Sequence, residues 1–228
     1  MIDDPQTGNW YENRDAIKGL ERDNPIYTPG ARFQQIAWQL ALYRTLQIAA
    51  PIPGQARILD VGCGTGGAVP TLYWTRTSPN QITGIDINAE FIDRARRRFP
   101  GCNWIVWDAT QDLVEPASFD LVMQSTMFLQ VGEAVMESVA AAMSRAVRPG
   151  GHVLFVDWRY TYDRRVLRSS TLRQWFSDCN LVGRIPGALV PPIGRAVSAH
   201  AQWAYFLIQR TLPFLVGQYA WLFAKRHP

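Results

Sequence analysis

The sequence predicts a single α/β domain: a mostly parallel sheet with helices on both faces. Three observations lead there. Short apolar runs alternate with helical segments from Arg57 to Asp157, the pattern of strand–helix–strand crossovers. A glycine-rich turn, Gly62-Cys63-Gly64-Thr65-Gly66-Gly67, follows the first run and opens a helix. The chain has 228 residues, 47% apolar and 18% charged, which supplies one sizeable core and is too short for two full enzymes. Disordered, collagen-like and heptad classes are excluded by the same composition.

The elements follow in order. Met1–Gly30 is polar, with turn signals at Asn24-Pro25 and Pro29-Gly30. Ala31–Ala50 reads as an amphipathic helix with Phe33, Ile36, Ala37 and Leu40 on one face, ended by Pro51-Ile52-Pro53-Gly54. Arg57–Val61 is the first strand, and the helix after the glycines carries Pro70 in its first turn, where a missing N–H costs little. Gln81–Ile87, Asn103–Trp107 and Phe119–Gln124 are strands two to four, with a helix over Ala89–Phe99. Gly132–Val147 is a long helix stopped by Pro149-Gly150-Gly151, and His152–Asp157 is the fifth strand. Val166–Ser177 and Gly194–Leu212 read as helices, Asn180–Val190 and Leu215–Ala224 as an antiparallel pair of edge strands. The organisation is therefore an N-terminal helical cap, 1–50, and a ligand-binding domain, 51–228, with an inserted helix at about 191–212.

Charge and cysteine content narrow the class. Of 23 basic residues only Lys18 and Lys225 are lysines, an arginine excess that fits a GC-rich bacterial genome. In Arg94–Arg98, the apolar Phe91, Ile92, Ala95 and Phe99 take one helical face, leaving the arginines on a solvated one. A net charge of +4 permits nucleic acid binding without arguing for it. Cys63, Cys102 and Cys179 have no C-x-x-C spacing, which suits a reducing cytoplasm. Met1–Arg14 is polar and does not read as a signal peptide. Ala196–Phe223 is apolar and aromatic, but Arg210 and Pro213 interrupt it, so a transmembrane helix is rejected. An interfacial helix that lies on a membrane, or meets a greasy substrate, is the alternative.

The glycine turn carries the chemistry. Its spacing is ambiguous: Gly62, Gly64 and Gly67 satisfy G-x-G-x-x-G, whereas Gly62, Gly64 and Gly66 satisfy G-x-G-x-G. Asp86 ends the second strand 20 residues beyond Gly66, where a carboxylate meets ribose hydroxyls. Asp60 discriminates between ligands. A carboxylate about 4 Å from a pyrophosphate is repelled by roughly 4 kcal/mol at an effective dielectric near 20. Near a sulfonium or ammonium it is attracted. No Lys-Ser/Thr follows the loop, so a P-loop is excluded. Charge thus selects a cationic nucleoside, of which S-adenosylmethionine is the common one.

At these residues the chain resembles the class I S-adenosylmethionine-dependent methyltransferases, and more loosely their uncharacterised bacterial members. Ile58–Gly66 is similar to the family's glycine motif and Gly84-Ile85-Asp86-Ile87 to its ribose-binding acidic motif. Trp107-Asp108-Ala109 is similar to its adenine-holding segment, and Val147–Gly151 to its turn before strand five. The resemblance covers Arg57–Trp158. It implies a Rossmann-like fold with seven strands, the last antiparallel. It also implies that Asp60, Gly62, Cys63, Gly64 and Gly66 surround the methionine part of the cofactor, and that Asp86 holds the ribose. Ile87, Asp108 and Ala109 would bound the adenine, and Gln124 would approach the sulfonium. Cys63 reads as a small inward side chain rather than a nucleophile.

For methyl transfer the protein mainly positions and desolvates, and a hydroxyl acceptor also wants a base. Asp157, after strand five, and His200, on the late helix, are the candidates. His152 is at the wrong end of the sheet. The segment Gln124-Ser125-Thr126-Met127 departs from the Asn/Asp-Pro-Pro-aromatic pattern of nucleic acid amino-methylating enzymes. Asp157-Trp158 departs from the Asp-Asn pair of magnesium-dependent members, so no metal is expected. The expected acceptor is a small molecule, a sugar or natural-product hydroxyl. An RNA methyltransferase, a nicotinamide-dependent oxidoreductase and a non-catalytic cofactor-binding subunit are the rivals. Asn9–Phe33 and Pro191–Leu212, rich in Trp10, Tyr11, Tyr27, Trp203, Tyr205 and Phe206, are expected to roof the cleft.

Overall fold

A computed structural model describes residues 29–48, 55–111, 116–128, 131–159 and 166–227. Seven strands form one sheet: β1 (Ile58–Val61), β2 (Ile82–Asp86), β3 (Asn103–Val106), β4 (Phe119–Ser125), β5 (Val147–Trp158), β6 (Cys179–Pro186) and β7 (Gln218–Lys225). Their spatial order is β3-β2-β1-β4-β5-β7-β6. The first five run parallel, and β7 is antiparallel to both β5 and β6. The order reverses between β2 and β4 around β1, and at such a switch point the loops leave a crevice at the carboxyl edge.

Helices α1 (Pro29–Ile48), α2 (Val69–Trp74) and α3 (Ala89–Arg98) accompany one face; α4 (Glu133–Ala146) and α5 (Ser169–Trp175) accompany the other. Strand alternation divides the core between them. Ile58, Ile82, Leu121 and Leu154 pack with Leu42, Leu46, Leu72 and Ile92 on the first face. Leu59, Val122, Val153 and Phe155 pack with Val139, Met143, Leu172 and Phe176 on the second. α1 is thus part of the core.

Several elements depart from their sequence reading. Ile36 is exposed, and the buried stripe of α1 is Ala37-Trp38, Ala41-Leu42 and Thr45-Leu46, because this helix is sandwiched between the sheet and a later helix and needs a broader apolar face. β5 starts at Val147, not His152; Pro149-Gly150-Gly151 lies in a register shift of the β4–β5 ladder. β6 ends at Pro186. The inserted helix is broken in two, α6 (Pro191–His200) and α7 (Tyr205–Thr211), with 3₁₀ turns at Gln202–Ala204 and Pro213–Leu215. The break at Ala201 lets Tyr205 and Gln209 turn inward: the Tyr205 hydroxyl accepts from Leu189 N at 2.9 Å and Gln209 Nε2 donates to Gly187 O at 2.6 Å. The arginine run is also more than a solvated face. Arg94 pairs with Glu90 and Arg96 with Asp93, but Arg98 reaches the glycine turn.

Close packing in β2 gives a first expected result. A Cβ at Gly84 would stand 2.2 Å from Trp104 Cζ3 and 2.9 Å from Cys63 Sγ, both on buried side chains. Overpacking of this kind costs about 1–3 kcal/mol. Gly84→Ala is expected to lower the urea midpoint accordingly without changing the slope; an unchanged midpoint would show that Trp104 yields freely.

Candidate active site

The site grows from the carboxyl ends of β1 and β2. The chain leaves β1 at Val61 and turns through Gly62, Gly64 and Gly66, all in the left-handed region at φ +66°, +53° and +79°. Gly67 does not have a positive φ, so the turn is G-x-G-x-G and the ambiguity of spacing is settled by backbone conformation. The turn is tied down from three sides. Cys63 N donates to Ile85 O at 3.0 Å, Gly64 N to Asp86 Oδ2 at 2.9 Å, and Arg98 Nη1 to Thr65 O and Oγ1 at 2.9 and 2.8 Å. Gly66 lies against Phe99 and Trp104, and Gly62 against Met127. A Cβ at Gly64 would meet nothing within 4 Å, so this turn presents open space at one point of its backbone.

Two carboxylates lie at this turn, Asp86 on Gly64 and Asp60 near Asp86 and Cys63. Asp86 is nearly buried and accepts from Gly64 N through one oxygen and from Asn88 N through the other, at 2.9 Å each. Asp60 is 2% exposed, and no described residue donates a hydrogen bond to it. Burial, and then the charge of Asp86, push its pKa up to about 7. Such a carboxyl is poised for a cation, which would pay for its ionisation. Burial pushes the Cys63 thiol up as well, so Cys63 is an inert inward side chain.

Farther along the edge, Ile87, Val106, Trp107, Asp108 and Gln111 wall an apolar cleft of about 280 Å³. Ile87 is 58% exposed there. Asp108 Oδ1 accepts from Thr110 N and Oγ1, and Ala109 follows it, half-buried against the core. Trp107 N donates to the Asp86 carbonyl, which joins this cleft to the end of β2.

Three expected residues have other structural partners or exposed positions. Gln124 is fully buried beside Val61; its Nε2 donates to Val156 O at 3.3 Å and its Oε1 accepts from Met127 N at 3.1 Å, so it braces β4 against β5. Asp157 is 1% exposed and points into the α4–α5 face. Its Oδ2 accepts from Phe128 N at 3.0 Å and its Oδ1 from Trp158 N at 2.8 Å, the work of a brace rather than a base. His200 is the exposed last residue of α6. Pro191–Leu212 does connect β6 and β7 at the carboxyl edge, because Pro186 and Gln218 lie at that end of their strands. Trp10, Tyr11 and Tyr27 lie outside the described residues.

The sequence reading missed Thr126, Met127 and Trp38. Thr126 sits at φ +62°, uncommon for a branched residue, immediately after β4 at the carboxyl edge. Trp38 Nε1 donates to Ser125 Oγ at 3.1 Å, which brings α1 to the same corner. No local signal marks any of the three. Among the described residues no group of three His, Cys, Asp or Glu could hold a metal, and no helix is long and apolar enough to cross a membrane.

The open face of Gly64 separates binding from folding. Alanine there pays roughly 1–2 kcal/mol for the left-handed conformation and meets no atom. Gly64→Ala is expected to lower the melting temperature modestly while reducing nucleoside binding by more than tenfold in calorimetry. Undiminished binding would place the ligand elsewhere.

Comparison with known proteins agrees with this geometry. Residues 58–151 match the family described as methyltransferase domain. The chain is 34% identical over 152 residues to a fatty-acid O-methyltransferase of Mycolicibacterium smegmatis, covering 64% of this chain and 53% of that protein. It is 27% identical over 203 residues to a phthiotriol/phenolphthiotriol dimycocerosates methyltransferase of Mycobacterium leprae, covering 85% and 69%. A solved geranyl diphosphate methyltransferase in complex with SAM shares the fold at a TM-score of 0.61 and 16% identity, over 83% of this chain and 85% of that one. The chain spans about half the length of most of the curated relatives it matches. Sheet order and glycine turn agree with the match of residues 58–151 to a methyltransferase domain, and the chain shares its fold with a methyltransferase solved in complex with SAM.

Proposed function

We propose that the protein transfers a methyl group from S-adenosylmethionine to a small, apolar acceptor of the lipid kind. The observation that carries the reading is Asp60, a buried carboxyl that shares the end of β1 with the charge of Asp86 and the start of the glycine turn at Cys63. A dinucleotide pyrophosphate would be repelled there, and a sulfonium amino acid would be attracted. Gly62, Gly64 and Gly66 would admit the methionine part, Asp86 the ribose, and the Ile87–Asp108 cleft the adenine. When bound, the cofactor supplies a methyl group on a leaving sulfur. The chain's own residues position the acceptor and exclude water.

The acceptor class is supported by what the relatives' names say of those proteins: a fatty acid in one and phthiotriol or phenolphthiotriol dimycocerosates in another. A carboxylate acceptor carries its own lone pair and needs no base. A sugar or natural-product hydroxyl is the less favoured acceptor, and an RNA or nicotinamide ligand less still. Calorimetry with S-adenosylmethionine and NADH side by side tests the cofactor. Tighter binding of NADH would overturn the reading. Methyl transfer from labelled cofactor to long-chain fatty acids, with sugars as the comparison, tests the acceptor.

A further inference from the structure

We propose that α7 and the turns beside it dock the protein on an anionic lipid bilayer. Trp203 is 81% exposed, Phe214 63% and Leu207 54%, with Phe206 and Leu212 partly open beside them. Five large apolar side chains thus face outward within the twelve residues 203–214, which is more than a scattering of single exposed residues. They are held in that direction. On the inner side Tyr205 and Gln209 are buried and bonded to Leu189 and Gly187, and the Phe33 ring packs edge-on against Tyr205. The segment cannot roll its apolar side inward without breaking these bonds.

Charge names the occupant. The stretch from residue 187 to 218 contains Arg195 and Arg210 and no Asp or Glu, and Arg44 lies over the Phe206 ring at 5.9 Å. An apolar segment that carries arginines and no acidic residue of its own complements anionic headgroups, with Trp at the headgroup–acyl boundary. A second copy is disfavoured, because a symmetric contact would set Arg195 and Arg210 against like charges with no acid to pair them. The segment begins at Pro186 and ends at Gln218, at the sheet edge that carries Asp60 and Asp86, so docking turns that edge toward the bilayer. That the bilayer then delivers the acceptor rests on the methyltransferase reading; the docking does not.

Co-sedimentation of the full chain with phosphatidylcholine vesicles, with or without phosphatidylglycerol, tests this. Partition onto the anionic vesicles is expected to be at least about tenfold higher and to fall with salt. Trp203→Ser/Leu207→Ser/Phe214→Ser is expected to reduce it about tenfold or more. Arg195→Gln/Arg210→Gln is expected to reduce it about 25-fold, at about fivefold per arginine near the surface. Both variants should keep the melting temperature and S-adenosylhomocysteine affinity of the wild type. Equal partition of wild type and triple variant, or equal uptake by neutral and anionic vesicles, would overturn the proposal. So would self-association in ultracentrifugation that the triple variant abolishes, with no vesicle uptake; that result assigns the surface to a second copy. Because uptake is read without turnover, loss of cofactor binding in calorimetry would sink the methyltransferase reading alone.

Discussion

Asp60→Asn is expected to stabilise the ligand-free protein at neutral and alkaline pH and to weaken its hold on S-adenosylmethionine. The carboxyl titrates near 3.8 when solvated and near 7 in the fold, raised first by burial and then by the charge of Asp86. Between those values the folded state holds a proton that the unfolded state has released. Stability therefore falls as pH rises from about 4 to about 7 and is level above that. Three pH units correspond to a loss on the order of 4 kcal/mol from this group. An asparagine has the same shape and does not ionise, so the variant should lose this slope and melt higher at pH 8. Cofactor affinity should move the other way. A cation beside Asp60 stabilises its ionised form, so wild-type binding should strengthen as pH rises through 7 and release a proton below it. The variant should bind about 10- to 100-fold more weakly, the range for a hydrogen bond to a charged group, with a flat pH profile. Chemical denaturation at pH 5 and 8, with calorimetry in buffers of different ionisation enthalpy, reads both. A parallel pH dependence in variant and wild type would show that Asp60 is not the titrating group.

Asp86→Ala is expected to weaken cofactor binding by about 10- to 100-fold, and the structure adds a cost to folding. The carboxylate accepts from Gly64 N and from Asn88 N, so its removal leaves both donors without that acceptor. Gly64 carries the open face of the glycine turn, and Asn88 caps α3 through Glu90 N and Phe91 N. The variant should therefore lose about 1–3 kcal/mol of stability. Glycine-turn amides should also exchange hydrogen faster than those of β4 and β5. Asp86→Asn retains an acceptor oxygen and should recover much of the stability but little of the affinity. Full affinity in Asp86→Ala would mean that another residue holds the ribose.

The relation between these residues and the sequence is uneven. Asp60, Asp86, the glycine turn and the Ile87–Asp108 edge were legible because each depends on local pattern. Period-two alternation ends a strand, a glycine run forces positive φ, and an acidic residue closes the next strand. Gln124 and Asp157 have the same strand-end address, and the same reasoning placed them in the site. Their side chains are instead consumed by backbone N–H and C=O groups of a neighbouring strand or loop, Gln124 by Val156 and Met127, Asp157 by Phe128 and Trp158. Which buried donor awaits a polar side chain is a non-local fact.

The sequence by itself determined the approximate position and the parallel sense of the first five strands, and the position of the turn between β1 and α2. Those follow from turn chemistry and apolar period within a few residues. Only the tertiary structure decided that β7 lies between β5 and β6, that Ile36 faces solvent while Trp38 reaches Ser125, and that Thr126 is held left-handed. It also decided that Tyr205 of α7 turns inward while Trp203, in the 3₁₀ turn before it, faces outward. The same apolar run could have packed with either side down. Bonds from Leu189 and to Gly187, residues distant in sequence, choose the side, and no periodicity within the run records that choice.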